Sequence, residues 1–267
     1  HKPAHSRSRS LTNVDLYSAI ETVREWIREA GSVAALTGAG ISTDSGIPDF
    51  RGPKGLWTKD PTAEKMATLD AYVSDPDVRK RSWKWRLETQ QNKREPNDGH
   101  RALVDLERAG HLDTLVTQNV DGLHQSAGSD PARVVEIHGT IQEVQCLDCE
   151  ERAPMERALA RVIAGEEDPS CRSCGGMLKS ATISFGRGLI SRDLARAQEA
   201  AEGCDLILAI GTTLAVYPIA AMVPIAKEAG ARVVILNGEP TEMDGVADTV
   251  LHGSISEILP QLVPSTD

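Results

Sequence analysis

The first regular pattern in the chain is the apolar face of one helix. Apolar side chains recur at steps of four, three and four residues, which is the spacing of neighbours on an α-helix: Leu16, Ile20, Val23 and Ile27. Asn13 belongs to the residue types that cap helix starts, and Gly31 to those that follow helix ends. The pattern therefore predicts a helix between them.

Beyond this helix, short and continuously apolar runs alternate with helical patterns. The predicted strands are 33–36, 112–117, 134–137, 206–210 and 231–236, and the predicted helices are 99–109, 192–202 and 254–262. Pro218 is suited to open a further helix, because proline fits the first helical position. Strands without polar alternation are typical of a parallel sheet covered on both faces. We therefore predict an α/β fold, a Rossmann-type parallel sheet with helices on both faces.

Two segments interrupt this alternation. Residues 58–96 are polar and helix-prone, and residues 141–179 hold four of the five cysteines. We interpret them as a helical insertion and a metal-binding module that together form a smaller lobe. The large domain is then discontinuous and comprises residues 13–57, 97–140 and 180–263. Residues 1–12 are rich in Ser and Arg, and we expect them to form a disordered flank.

Composition and charge narrow the classes of partner. A hydrophobic content of 40% over 267 residues suffices for a substantial core. A net charge of −10 argues against direct nucleic-acid binding, which needs a basic face, but suits basic partners such as lysine-rich protein segments. No run approaches the roughly 20 apolar residues of a membrane span, and the basic start of the chain does not resemble a secretory signal. We expect an intracellular, cytoplasmic protein without a membrane partner.

The cysteine spacing is the most specific signal that needs no comparison with other proteins. Two Cys-x2-Cys pairs are separated by 21 residues: Cys146 and Cys149, then Cys171 and Cys174. Four thiolates at this spacing favour tetrahedral Zn²⁺, and four protein ligands leave no open position, so the predicted site is structural. Unrelated buried thiols are the alternative. Cys204 stands apart from the pairs, and we expect a buried structural thiol there.

Several residues typical of ligand sites directly follow predicted strands: Gly38, Gln118, His138, Gly211 and Asn237. In open α/β sheets, ligands bind at this carboxyl edge. The glycines of Gly38-Ala39-Gly40 would let the backbone approach a pyrophosphate, although an ordinary tight turn is the alternative. Thr43 stands where the third glycine of the usual dinucleotide fingerprint would be.

The order of the motifs resembles the sirtuins, which are NAD-dependent protein deacylases. The resemblance covers residues 32–259 and rests on four motifs followed by the paired cysteines: Gly38-Ala39-Gly40-Ile41-Ser42, Gly46-Ile47-Pro48-Asp49-Phe50-Arg51, Gln118-Asn119-Val120-Asp121 and His138-Gly139. It implies an NAD-binding large domain, one structural zinc, and removal of acyl groups from lysines of proteins or peptides with release of nicotinamide and O-acyl-ADP-ribose. Transfer of ADP-ribose to protein and a non-catalytic NAD- or zinc-dependent interaction module remain as alternatives.

The resemblance also implies residue roles. His138 would be the general base, and Asn119 and Asp121 would hold the nicotinamide carboxamide and the ribose. The remaining residues implied in cofactor binding are Gly38, Ala39, Gly40, Ser42, Asp49, Phe50, Arg51, Trp57, Gln118, Gly211, Thr212, Thr213, Asn237, Gly238, Glu239 and Ile255. Of these, Asp49, Phe50 and Arg51 would face the nicotinamide, while Thr213, Asn237 and Glu239 would contact the adenosine half. The other histidines, including His100 and His124, are interpreted as solvated or structural.

For the substrate, the resemblance implies two strands that grip the peptide backbone, at Phe185-Gly186 and Val216-Tyr217. A subgroup that prefers acidic acyl chains has Ala followed by Tyr-x-x-Arg, and the matching residues here are Ala67, Trp83 and Arg86. The cation is present, but Trp83 replaces the tyrosine, so an anchoring role for the tryptophan is the alternative. Arg187 stands where many sirtuins have an acidic residue. We expect a monomer.

Overall fold

A computed structural model describes residues 13–48, 68–184 and 187–264. In this part of the chain, six strands form one sheet in the order β3-β2-β1-β7-β8-β9, and every neighbouring pair is parallel. The strands are β1 (Val33–Thr37), β2 (Leu112–Thr117), β3 (Val134–Glu136), β7 (Leu206–Ile210), β8 (Arg232–Asn237) and β9 (Thr249–His252). The predicted parallel sheet is confirmed.

Helices cover both faces of this sheet. One face packs against α1 (Asn13–Glu29), α4 (Asp98–Arg108) and α9 (Ile255–Leu262), and the other against α7 (Ser191–Gly203) and α8 (Met222–Glu228). Alternate residues of one strand serve the two cores: Ala35 packs with the first group of helices, whereas Ala34 and Leu36 pack with the second. Burial on both faces explains why these strands are continuously apolar.

The strand order places a topological switch point between β1 and β7. The chain leaves β1 toward one edge of the sheet through β2 and β3, and returns to its other side through β7, β8 and β9. The loops that follow β1 and β7 therefore meet at the carboxyl edge, where α/β sheets bind ligands. After β1 the chain turns into a short 3-10 helix, Ala39–Ser45.

A second, smaller sheet is antiparallel, in the order β5-β4-β6: β4 (Gly139–Cys146), β5 (Arg152–Pro154) and β6 (Leu178–Thr182). It lies with α2 (Leu69–Ser74), α3 (Pro76–Gln91) and α6 (Met155–Ile163) in a smaller lobe. Between β2 and β3, α5 (Leu123–Ala127) is a single short helix. The central strand β4 begins two residues before the segment 141–179, and the edge strand β6 ends three residues after it. The division into domains stays a prediction.

The sequence did not predict β9 or the three small-lobe strands. Thr249–His252 has only four residues and pairs at the sheet edge, and β5 has three, so neither shows a period long enough to recognise. Pro218 does not open α8 directly, because a 3-10 turn at Ile219–Ala221 comes between them. Among the described residues, no helix is both long and apolar enough to cross a membrane.

Candidate functional site at the carboxyl edge

Two glycine loops cross at the switch point. The N–H of Gly40 donates to the carbonyl of Gly211 at 2.8 Å, and the N–H of Gly38 donates to that of Ile210 at 3.0 Å. A Cβ on Gly38 would lie 2.7 Å from the Gly211 carbonyl oxygen, and one on Gly211, which has φ +62, would lie 2.5 Å from the backbone nitrogen of Ile41. Glycine is thus required by the close approach of two backbones. The N–H groups of Gly38 and Gly40 therefore already donate hydrogen bonds within the protein.

Ser42, Asn119 and Asp121 form one hydrogen-bonded group beside this crossing. The Ser42 hydroxyl donates to Asp121 Oδ2 at 2.8 Å and accepts from Asn119 Nδ2 at 3.2 Å. Asn119 Nδ2 also donates to the Gly38 carbonyl at 3.1 Å, and Asp121 Oδ1 accepts from the N–H of Leu123 at 2.9 Å. Residues that follow β1 and β2 therefore lie together, as expected for residues at the carboxyl edge of one parallel sheet.

Burial raises the pKa of Asp121 above its ordinary value, although hydrogen bonds from Leu123 and Ser42 act in the opposite direction. The carboxylate is therefore held in a poorly hydrated place by donors from two loops. A buried carboxylate with fixed donors is a rigid acceptor, and it suits the binding of hydroxyl or amide N–H groups of a ligand.

His100 extends this group from α4. Its Nδ1 accepts from the backbone N–H of Asn97 at 3.3 Å as part of a capping box, so the ring proton resides on Nε2. Nε2 lies 3.4 Å from the Ser42 hydroxyl and can donate to it. The side chain is fully buried, and this desolvation lowers its pKa to about 4. His100 is thus a neutral donor beneath the site.

His124 is the second buried imidazole, and its ring centre lies 5.0 Å from that of His100. Nε2 lies 3.0 Å from Thr37 Oγ1, whose hydroxyl donates to Thr117 Oγ1 at 2.8 Å. Burial, together with the neighbouring His100, lowers the pKa of His124 to about 3. Sequence reasoning correctly allowed structural roles for both histidines but missed this shared layer. The available signal was that Thr37 and Thr117 each end a strand.

Gln118 spans from β2 to the loop after β7. Its Nε2 donates to Thr212 Oγ1 at 2.9 Å, and Thr212 Oγ1 in turn accepts from the N–H of Leu214 at 3.2 Å. The carbonyl of Gln118 accepts a hydrogen bond from the imidazole of His138. One residue therefore connects the glycine crossing with the only histidine among the predicted site residues.

His138 has a defined tautomer. Its Nδ1 lies 3.1 Å from the carbonyl oxygen of Gln118, and a carbonyl only accepts, so the proton is on Nδ1. Burial lowers the pKa of this half-buried ring, while the hydrogen bond to Gln118 partly opposes the shift. At neutral pH the ring is therefore neutral, with a basic lone pair on Nε2. This state suits a general base.

The position of His138 is fixed by the residue that follows it. Gly139 has φ +77, and a Cβ there would collide with the carbonyl of Ala181 in β6. The N–H of Ile183 donates to the His138 carbonyl at 2.9 Å, so the small-lobe sheet holds this strand end directly. The site thus lies where the two sheets meet.

The remaining predicted cofactor residues lie along the same edge. Thr213 and Glu239 are exposed, Asn237 is buried, and Gly238 is exposed between them. Asn237 Nδ2 donates to the Glu239 carbonyl at 2.7 Å and so shapes the turn after β8. Ile255 is the first residue of α9, and it packs against Gly211 and Gly99 beside the point where the two glycine loops cross. Its side chain is buried against these glycines.

Comparisons with known proteins agree with this geometry. The profile of the Sir2 family matches residues 38–218, which is more than half of the chain. The chain belongs to the Sir2 family. It is 49% identical over 231 residues to NAD-dependent protein deacetylase 2 of Streptomyces coelicolor, covering 86% of this chain and 96% of the relative.

Further Sir2 relatives support the same assignment. NAD-dependent protein deacylase 2 of Pyrobaculum aerophilum is 42% identical over 241 residues, covering 90% of this chain and 93% of the relative. A solved Sir2 protein with a histidine-to-alanine substitution, in complex with a deacetylated peptide and 3'-O-acetyl ADP ribose, superimposes with a TM-score of 0.80 at 30% identity. The match covers 91% of this chain and 96% of that one.

The four paired cysteines of this Sir2 chain come together in the small lobe. Their sulfur atoms all lie within 4.8 Å of one another, with 3.5 Å between Cys146 and Cys174 and 3.7 Å between Cys149 and Cys171. A disulfide would need about 2.0 Å, whereas zinc with Zn–S bonds of about 2.3 Å places its sulfurs about 3.8 Å apart. The cluster fits a tetrahedral Zn²⁺ with no open position.

Backbone N–H groups complete this metal site. Those of Asp148 and Cys149 point at Cys146 Sγ, at 3.4 and 3.5 Å, and that of Gly176 points at Cys174 Sγ, at 3.4 Å. Such donors stabilise thiolates and orient them for a metal. Cys204, by contrast, is buried beside the large-lobe core, in keeping with a structural thiol.

The small-lobe residues assigned to the acyl group differ in exposure. Trp83 is fully buried among Val144, Met155 and Leu159, which favours the anchoring alternative for its ring. Arg86 is half-buried with its guanidinium 6.0 Å from the Trp83 ring centre, and its Nε has no hydrogen-bond partner among the described residues. Val216 is half-buried and Tyr217 is 64% exposed, and their assignment to the peptide stays a prediction.

Seven predicted site residues lie outside the described residues: Asp49, Phe50, Arg51, Trp57, Ala67, Phe185 and Gly186. Their assignments stay predictions.

Proposed function

We propose that this Sir2-family chain is an NAD-dependent protein-lysine deacylase that moves the acyl group of a modified lysine onto ADP-ribose and releases nicotinamide. The observation that carries the proposal is the neutral His138, with its basic Nε2, at the same sheet edge as the Ser42-Asn119-Asp121 group. A cofactor held by that group and by Gln118 would place its ribose near the histidine.

Bound NAD supplies a glycosidic bond to nicotinamide, and breaking it exposes the ribose carbon to the acyl oxygen of the lysine. Asn119 and Asp121 hold the nicotinamide end, because their amide and carboxylate are fixed by Ser42 and the Leu123 N–H. Preorganised groups of this kind need no reorientation during the reaction. Thr213, Asn237 and Glu239 hold the adenosine half along the same edge.

With NAD bound, His138 would accept the proton of a ribose hydroxyl, and the oxygen of that hydroxyl would bond to the acyl carbon. The lysine amine would then leave, and water would add to the same carbon to give O-acyl-ADP-ribose. Gln118 fixes the tautomer by accepting from Nδ1, so that Nε2 is the base. A protein that only transferred ADP-ribose to another protein would have less need of this base. The oriented, neutral histidine therefore favours deacylation over that alternative.

The acyl group is assigned through Arg86. Because the Trp83 ring packs in the small-lobe core, Arg86 is the group left to pair with a negatively charged acyl chain. If it does so, the chain removes succinyl-type groups as well as acetyl groups. If Arg86 only stacks on Trp83, acetyl and other neutral groups are the substrates.

The test is a mass-spectrometric assay with NAD and matched acetyl-lysine and succinyl-lysine peptides. We expect unmodified peptide and O-acyl-ADP-ribose in equal amounts, and no product with His138→Ala. Mass added to the peptide as ADP-ribose, without loss of the acyl group, would support the transferase alternative and contradict deacylation.

Arg86→Met sharpens the acyl assignment in the same assay. Pairing predicts that succinyl removal falls by about 100-fold while acetyl removal changes less than about threefold, because a charge-assisted contact is lost only for the acidic substrate. Trp85→Ala is the matched control, since Trp85 lies one position away on α3 with 56% exposure. Equal loss with both peptides would instead assign Arg86 to packing.

A further inference from the structure

A chain of polar groups runs from the buried His124 to the backbone of Asn119. The Thr37 hydroxyl donates to Thr117 Oγ1, so its oxygen must accept from His124, and the proton of that ring is therefore on Nε2. Thr117 Oγ1 also accepts the backbone N–H of Asn119 at 3.1 Å. Three consecutive hydrogen bonds thus link α5 with the residue assigned to nicotinamide.

Burying this series of polar groups costs free energy, and their packing does not offset that cost. His124 is 1% exposed, and its Nδ1 has no hydrogen-bond partner in the described part of the chain. Leucine would fill a similar volume without burying an unpaired nitrogen. Unlike leucine, the imidazole ring supplies a hydrogen-bond donor of fixed direction at the end of β1. Thr37 and Thr117 lie side by side on paired strands there.

We propose that His124 is a positioning residue for nicotinamide cleavage, acting through Thr37 and Thr117 on the backbone of Asn119. It fixes the Thr37 hydroxyl so that Thr117 presents an acceptor to the Asn119 N–H. The Asn119 side chain is thereby aimed between Gly38 and Ser42. This inference rests on the proposed function, since it concerns the residue that would hold the departing group.

The test uses His124→Leu and His124→Gln, because the amide nitrogen of glutamine replaces the Nε2 donor whereas leucine does not. Nicotinamide release and exchange of labelled nicotinamide are measured at saturating NAD with acylated peptide. We expect His124→Leu to lower both rates by about tenfold or more, as displacement of a positioned group does, and His124→Gln to restore them to within about threefold. Thr117→Val should resemble His124→Leu.

Two controls separate positioning from folding. Ser129→Ala removes another buried hydroxyl that has no described partner, two residues beyond α5, and should leave both rates unchanged. Affinity for ADP-ribose, which lacks nicotinamide, should stay the same in every variant. Rates that fall only in proportion to the folded fraction, or equally in His124→Leu and His124→Gln, would overturn the inference. A wild-type protein that binds ADP-ribose but releases no nicotinamide would instead overturn the proposed function, and this inference with it.

Discussion

The carboxyl edge of the large sheet and the small lobe keep their shapes by different means. Among the described residues, the two cores that flank the large sheet contain 22 and 20 buried hydrophobic residues, whereas the small-lobe core contains eight, two of which are cysteines of the metal cluster. At the carboxyl edge, the side chains of Ser42, Asn119 and Asp121 find hydrogen-bond partners within the protein. The cysteine thiolates need a cation to balance their charge.

The two lobes therefore hold different residues of the same candidate site in place. The side chains of Ser42, Asn119 and Asp121 bond to one another and to large-lobe backbone. The strand β4 reaches this segment only through its backbone, since Gln142 donates to the carbonyl of Asp121. His138 is held from both sides, because Gly139 begins the small-lobe sheet and Ile183 bonds its carbonyl. We therefore expect damage to the small lobe to disturb His138 more than the side chains of Ser42, Asn119 and Asp121.

Removal of zinc should give the largest effect. Structural zinc sites contribute on the order of 10 kcal/mol to the folding of their domains, and eight core residues cannot replace that contribution. A strong chelator should abolish amide-hydrogen protection in β4 and β6 and deacylation with it, while β1 and β7 stay protected. Hydrogen exchange read by mass spectrometry checks this.

Cys204→Ala is the control for this experiment, because it removes a thiol outside the cluster and should leave one zinc per chain. Unchanged protection in β4 and β6 after complete metal removal would contradict the contrast between the lobes.

Gly211→Ala should destabilise the large lobe by about 3 kcal/mol, since it combines a left-handed φ with a backbone collision at Ile41. Gly203→Ala, where an added Cβ meets nothing within 4 Å, should change the free energy of unfolding by less than about 1 kcal/mol. Urea unfolding of both variants gives the comparison. Equal free energies of unfolding for the two variants would mean that the loops do not cross as closely as described.

Acid should weaken the large lobe through its buried histidines. Burial holds the folded-state pKa values of His100 and His124 at about 4 and about 3, below the ordinary 6.5, so the unfolded chain binds protons first. The contribution of these two histidines to the free energy of unfolding is therefore fully present above about pH 7. It is lost progressively as the pH drops below 6.5. Each histidine should cost about 1.4 kcal/mol between pH 7.5 and 5.5, or about 3 °C in Tm.

His124→Gln removes one of these two groups. Its Tm should fall by about 3 °C less than that of the wild type over the same pH range, measured by thermal melts at each pH. Parallel pH profiles for the two proteins would show that His124 does not govern the acid response.

The sequence predicted the large sheet well because its strands are apolar on both faces and bounded by glycine and asparagine. It also predicted that Gly38, Gln118, His138, Gly211 and Asn237 lie at one edge, since residues that follow parallel strands must meet there. The structure differs at elements whose patterns are too short, such as β5 and β9. It also revealed the imidazole layer of His100 and His124, because a hydrogen bond between distant segments leaves no periodic trace.

The glycines illustrate a further limit. The sequence predicts either room for a pyrophosphate or a tight turn at Gly38 and Gly40. In the structure their N–H groups donate to the carbonyls of Ile210 and Gly211. A local motif identifies where small residues are needed, but it does not say whether a ligand or another backbone fills the space.

The central claim is that nicotinamide is released at a group held by the large lobe and that His138 acts afterwards as the base. The most direct test is single-turnover kinetics of His138→Ala with NAD and an acyl-lysine peptide, following nicotinamide exchange and deacylated peptide separately. We expect exchange to persist within about tenfold of wild type while product formation falls by about 100-fold or more. Equal loss of both would contradict it, because His138 would then be needed before or during nicotinamide release.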